Sequence, residues 1–336
     1  MQLRSISAAM KLSKLQITLA VALTLTALAT RLYKLDIPHD WVFDEVYHAL
    51  SAEMYALNDP RGYEWWHISP QGLAYEWLHP PVEKLMMAGS IKIFARPFIP
   101  TSKLDPLIDA NTAFAWRFPS AVCASLTVFV IILMGNRMFN FPVGFLAGLF
   151  YAIDPLSFVQ GRLGTSDAIF TFFSTLAFYR LYIFLADYPK KSTQNIVLLG
   201  LGVGLAFSTK FTGVFVVGWS VFFILALFVW RRKIYYNMYQ LFLILAVFGL
   251  TVINIYLFSY LQWWLQGHTW QQFYELHNQI IRYHMGLKAT HPFSSSPLSW
   301  SIMQKPVCIY TGLDEFGKVL NIYYTGNKIT SYAGLA

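Results

Sequence analysis

The chain has 336 residues, of which 56% are apolar, 18% aromatic and only 12% charged, with a net charge of +8. That balance excludes a soluble globular domain, in which about 25% of residues are charged. The basic residues stand in twos and threes at the ends of apolar runs, which accounts for the positive charge by membrane topology and excludes a nucleic-acid partner.

In chain order, Arg4, Lys11 and Lys14 precede a first apolar run over about residues 15–35. A bilayer core of ~30 Å takes roughly 20 apolar residues per helix, so the run reads as a span. No small-residue cleavage site follows, so it reads as a retained span rather than a leader. Six further runs qualify, at about 118–138, 142–160, 167–187, 194–209, 212–230 and 238–260. The stretch 82–95 is interrupted by Lys84 and Lys92 and closed by Arg96-Pro97, and it predicts a helix lying at the interface. With basic loops inside, the N-terminus is cytoplasmic, and Arg137, Lys190-Lys191 and Arg231-Arg232-Lys233 all fall on the same side. Treating 82–95 as a span would put the last two clusters outside.

This topology makes residues 36–117 one large external loop and 261–336 a second external segment, after a transmembrane domain over 1–260. All eight histidines fall in these two regions, as do most tryptophans, including Trp41, Trp65-Trp66, Trp77 and Trp263-Trp264. Cys123 and Cys308 are the only cysteines and imply no disulfide framework.

The candidate chemistry clusters at the same face. Phe43-Asp44-Glu45 follows the first span, flanked by Trp41 and Tyr47; a carboxylate desolvated by aromatics suits general-base work. The bland alternative is a pair of solvated carboxylates at a helix start. His79-Pro80-Pro81-Val82-Glu83-Lys84 places His79 and Glu83 four apart, a spacing that can bring two ligands onto one metal or serve structure alone. Arg162, Asp167 and Lys210 stand where one span hands over to the next. An ammonium at Lys210 is costly inside a bilayer, so it reads either as functional or as snorkelling to the headgroups. Asp167 reads equally as a helix cap, and Arg117 as a headgroup anchor.

Taken together, Phe43-Asp44-Glu45, His79-Pro80-Pro81 with Lys84, Arg117-Phe118-Pro119-Ser120, the Arg162 to Asp167 segment, Ser208-Thr209-Lys210-Phe211-Thr212-Gly213, and the run from Tyr283 to Ser295 containing His284 and His291 resemble the protein O-mannosyltransferase family. The resemblance covers nearly the whole chain. It implies the helical membrane glycosyltransferase fold called GT-C and a polyprenyl- or dolichyl-phosphate-mannose donor. The acceptor is a Ser/Thr hydroxyl of a protein outside the cytoplasm, and the subunits are able to pair. Asp44 is then the general base, with Glu45 shaping the site or binding the acceptor. Lys84, Lys210, Arg117 and Arg162 become candidates for the donor phosphate, with His79, Glu83, Asp167, His284 and His291 as further site residues. The resemblance requires no cofactor and leaves a divalent metal open at His79 and Glu83.

Two features depart from the family pattern. Glu83 stands where a small residue is usual, and the sequence stops at Ala336, just after a Gly326-Asn327 that resembles the lead-in to an eighth span. The second external segment shows no β-trefoil pattern, which points to a prokaryotic plasma-membrane form. Two other classes fit less of the chain: a related GT-C transferase moving another sugar, such as aminoarabinose onto lipid A, and a transporter, whose expected internal repeat is missing and to which only Asp154-Pro155 inside a span speaks.

Overall fold

A computed structural model of the chain describes residues 12–102, 111–230, 238–288, 305–313 and 317–328, with positions 290, 294, 296 and 299. The elements in order are α1 (Lys14–Leu32), α2 (Glu45–Ala56), α3 (Val82–Phe94), α4 (Thr112–Met138), α5 (Phe141–Ile153), α6 (Pro155–Gln160), α7 (Ser166–Asp187), α8 (Ser192–Phe207), α9 (Gly213–Trp230), α10 (Met238–Ser259), α11 (Leu261–Leu265) and α12 (Trp270–Gly286), then β1 (Val307–Leu313) and β2 (Val319–Tyr324).

The seven expected apolar runs are all helical. By length and hydropathy α1, α4, α7 and α10 can cross a membrane, while α5, α8 and α9 are shorter apolar helices. The 16 residues of α8 rise about 24 Å, less than the ~30 Å hydrocarbon core. The third run breaks in two where Pro155, which lacks an N–H, starts α6 and Asp154 caps it, accepting the Ser157 N–H at 3.0 Å. The other Asp154 oxygen accepts the Asn327 N–H at 3.1 Å, so this carboxylate serves local structure rather than a transport path.

In the bundle α4 packs against α1, α5 and α7, and α8 lies between α7 and α10. Gly135 and Gly144 let α4 and α5 touch backbone to backbone; a Cβ on either would enter the other helix. At one end of the bundle Arg137 pairs with Asp187, joining α4 to α7. At the other end Arg162, just past α6, donates to the carbonyls of Arg31 (2.7 Å), Tyr33 (2.7 Å) and Lys34 (2.8 Å), satisfying the last turn of α1. There too the Val82 N–H meets the Ser208 carbonyl at 3.0 Å, tying α3 to the end of α8.

Described residues of both segments expected outside the bilayer build one layer over this second end. Leu50 and Met54 of α2, Met87 and Ile91 of α3 and Trp116 of α4 share a core with Tyr260, Trp263 of α11 and Leu276 of α12. At 13 residues α3 is about 20 Å long, shorter than the ~30 Å hydrocarbon core, and it packs into this layer. The hairpin β1–β2 is the one non-helical element among the described residues, paired from Val307↔Tyr324 to Leu313↔Val319 with an irregularity between Cys308 and Tyr310. Its Ile309 packs with Val42 and Leu163, placing it beside the acidic pair. Both Cys123 and Cys308 are free.

Candidate active site

Glu45 is the first residue of α2 and fully buried. Its two oxygens accept Nε and Nη2 of Arg117, each at 2.8 Å, together with the N–H groups of Gly164 (2.7 Å) and Val42 (2.9 Å). Arg117, 1% exposed, spends its other donors on the carbonyls of Leu35 (3.1 Å), Pro38 (2.9 Å) and Asp40 (2.8 Å). A guanidinium has five N–H groups, and these five bonds use them all. The pair therefore staples α2, α4, the exit of α1 and the α6–α7 turn into one frame. Gly164 must be glycine here, because a Cβ would fall 2.6 Å from the Trp116 ring, itself stacked on Trp41 at 4.8 Å.

This frame holds Asp44 in place. The preceding Phe43 has φ of 53°, a left-handed conformation costly for a bulky side chain. Asp44 caps α2 through its backbone, accepting the His48 N–H at 3.1 Å, yet its carboxylate makes no hydrogen bond or ion pair among the described residues. Burial raises its pKa above the ordinary carboxylate range, His48 pulls it back, and Asp167 and Glu76 push it further up.

Asp167, in the first turn of α7, binds Nζ of Lys210 at 2.7 Å with both side chains part-exposed. Lys210 is thus an ion-paired ammonium whose charge acts on Asp44. Tyr324 of β2 completes the wall. Its ring meets Phe43 edge-on at 6.0 Å, and burial followed by the nearby Asp167 and Asp44 raises its hydroxyl pKa.

A second cluster lies on the α3 side. Glu76 accepts both the backbone N–H (2.7 Å) and Nδ1 (2.9 Å) of His79. Lys84 is fully buried and donates to the carbonyls of Glu76 and His79, both at 2.8 Å. Glu83, also fully buried, binds Nδ1 of His48 at 3.1 Å. Burial disfavours the charged His48 ring, but Glu83 outweighs it and pushes the pKa up to about 9.

The expected residues separate on this geometry. Asp44, Asp167 and Lys210 share the mouth. Arg117, Arg162 and Lys84 do not present free cations to it: Arg117 and Lys84 are buried and bonded to Glu45 or backbone carbonyls, and Arg162 closes α1. His79 and Glu83 are not brought onto one face, because Pro80-Pro81 delay the helix to Val82 and the four-residue spacing is not helical. The carboxylate facing His79 is Glu76, and His48 takes Glu83. His284 is exposed at the end of α12, where Tyr283 meets Trp77 at 6.0 Å; His291 lies outside the described residues. His48, Glu76 and Tyr324 were not singled out in sequence. Only the loop aromatics and the concentration of histidines hinted at them, since their proximity arises from three separate segments.

A bundle of apolar helices carrying a carboxylate and an ion-paired ammonium at one mouth defines a polytopic membrane protein. The profile of the dolichyl-phosphate-mannose-protein mannosyltransferase family matches residues 21–273, and the chain belongs to that family of glycosyltransferases. It is 27% identical to a polyprenol-phosphate-mannose–protein mannosyltransferase of Mycolicibacterium smegmatis, over 86% of this chain and 63% of the relative. It is 26% identical to dolichyl-phosphate-mannose–protein mannosyltransferase 1 of Saccharomyces cerevisiae, over 60% of this chain and 24% of that one. The fold resembles a solved S. cerevisiae protein O-mannosyltransferase Pmt1-Pmt2 complex bound to the sugar donor, with a TM-score of 0.60 at 18% identity, over 77% of this chain and 34% of that one. The chain therefore spans less than two thirds of the length of these relatives.

Proposed function

We propose that this chain carries the catalytic mouth of a polyprenyl-phosphate-mannose–protein mannosyltransferase acting on Ser or Thr hydroxyls at the external face of the membrane. The observation that carries the reading is the contrast between adjacent carboxylates: Glu45 is saturated by Arg117, Gly164 and Val42, while Asp44 is held beside it with no partner among the described residues.

In the proposed reaction the acceptor hydroxyl attacks the anomeric carbon as its proton passes to Asp44. The bond from that carbon to the phosphate oxygen breaks, and the electron pair leaves with the lipid phosphate. Direct displacement turns a β-linked donor into an α-linked product. A carboxylate with a raised pKa is a better proton acceptor than an ordinary one. The growing charge on the phosphate needs a fixed cation, and Lys210, held by one bond to Asp167, has donors left to supply it. The lipid tail stays in the bilayer while the sugar reaches the mouth.

The test is to incubate membranes carrying the protein with polyprenyl-phosphate mannose and a Ser/Thr-rich peptide and to determine the product linkage. An α-mannosylated peptide is expected. A β-linked product would overturn the displacement, and a peptide left unmodified while another sugar phosphate is consumed would overturn the donor.

A further inference from the structure

We infer that His48, Glu76 and His79 form a binding site for one divalent transition-metal ion, zinc by the chemistry of its donors. One ligand atom from each of these side chains lies within 4.8 Å of the others. In a tetrahedral zinc site, bonds of ~2.0–2.2 Å leave ligand atoms about 3.4 Å apart, a distance that small side-chain rotations from the present arrangement reach. Two imidazoles and one carboxylate are a zinc-type donor set with a fourth position left for water or an anionic oxygen; magnesium and calcium favour oxygen ligands alone.

Three features distinguish this cluster from a chance meeting of polar groups. First, His48 is bonded through Nδ1 to the buried Glu83, leaving its other ring nitrogen without a partner among the described residues. An outer carboxylate that fixes the ring of a ligating histidine is the usual support of such sites. Second, Lys84 holds the backbone carbonyls of both Glu76 and His79, fixing the turn that carries two of the three ligands. Its ammonium points at these carbonyls, and the charges of Glu76 and Glu83 offset it. Third, the Glu76 backbone is itself anchored, its N–H donating to Ser51 at 2.6 Å on α2, the helix that bears His48. The ligands thus come from α2 and from the segment before α3, two pieces locked together by the external core. Binding displaces any proton on the free nitrogen of His48, so affinity rises with pH.

The test uses the full protein in detergent, purified without a polyhistidine tag, stripped with chelator and titrated at pH 7.5 with Co²⁺ alone and then with Zn²⁺ in competition. The expected result is one equivalent of Co²⁺ with the visible absorption of a tetrahedral site, abolished by stoichiometric Zn²⁺. His79→Ala removes the site, and Glu83→Gln, which leaves all three ligands, weakens Co²⁺ binding by about 10- to 100-fold. Absence of a Co²⁺ spectrum in the wild-type protein overturns the inference, as does a spectrum unchanged in both folded variants. Metal binding is read here without mannosyl transfer, so it stands or falls apart from the proposed reaction.

Discussion

Glu45 turns inward to a guanidinium whose every donor is used, while Asp44, one residue earlier, keeps its oxygens for something else. The first arrangement is fragile. Breaking a buried ion pair by removing one partner costs about 3–5 kcal/mol, and lysine offers three donors where five are needed. Arg117→Lys is therefore expected to lower stability by about 3 kcal/mol, read as unfolding in detergent, and to reduce transfer only through the loss of folded protein. Lys210→Gln is expected to behave oppositely, cutting the transfer rate by about 100-fold at nearly unchanged stability, because a part-exposed ion pair contributes little to the fold while a fixed cation at a leaving phosphate contributes much. For Asp44 the sign of the pH effect follows from its raised pKa. The base is lost as pH falls through that value, so the acid limb of the transfer rate should lie above the ordinary carboxylate range. The acidic pair stood out in sequence because its motif is local. The role of Arg117 did not, since a helix-terminal arginine looks the same in sequence whether it faces a phosphate or five buried acceptors.

The helix α2 carries a second buried acid. Glu53 is fully buried, accepts the Phe98 N–H at 3.2 Å through one oxygen, and has no partner for the other among the described residues. Burial pushes its pKa up to about 8. A folded-state pKa raised above the unfolded value means that stability is fully present below the unfolded value near 4.5 and falls as pH rises toward 8. Glu53→Gln, which keeps the shape of the protonated acid, should flatten that slope and raise the unfolding midpoint at pH 8. A midpoint lowered there would show that the ionised form has a partner after all. The apolar helices were readable from hydropathy because each buries or exposes a long uniform run. The α12 helix and the β1–β2 hairpin were missed. The α12 pattern is amphipathic and the strands are short, and each element is decided by what it packs on: α12 on Trp263 and the α2–α3 layer, and the hairpin on Val42 and Leu163.

Among the described residues, the buried carboxylates lie at one end of the bundle and Arg137, Lys190 and Lys191 at the other. The structure joins the two segments that sequence placed on a common side, with Tyr260, Trp263 and Leu276 packed against α2 and α3. Arg137 and Asp187 meet at the opposite end. A single cysteine placed at His39, in a protein with Cys123 and Cys308 replaced, should react with an impermeant thiol reagent from outside intact cells, and one at Lys190 should not; the reverse pattern would invert the topology. The central claim is that Asp44 takes the acceptor's proton, and the most direct measurement is the mannose transfer rate of Asp44→Asn against wild type on preparations whose unfolding midpoints are also measured. The expected result is a fall of at least about 100-fold with the midpoint unchanged or higher, since asparagine removes a carboxylate whose ionisation burial disfavours. Transfer within about threefold of wild type by an equally folded variant, against the ~100-fold contribution of a general base, would contradict it.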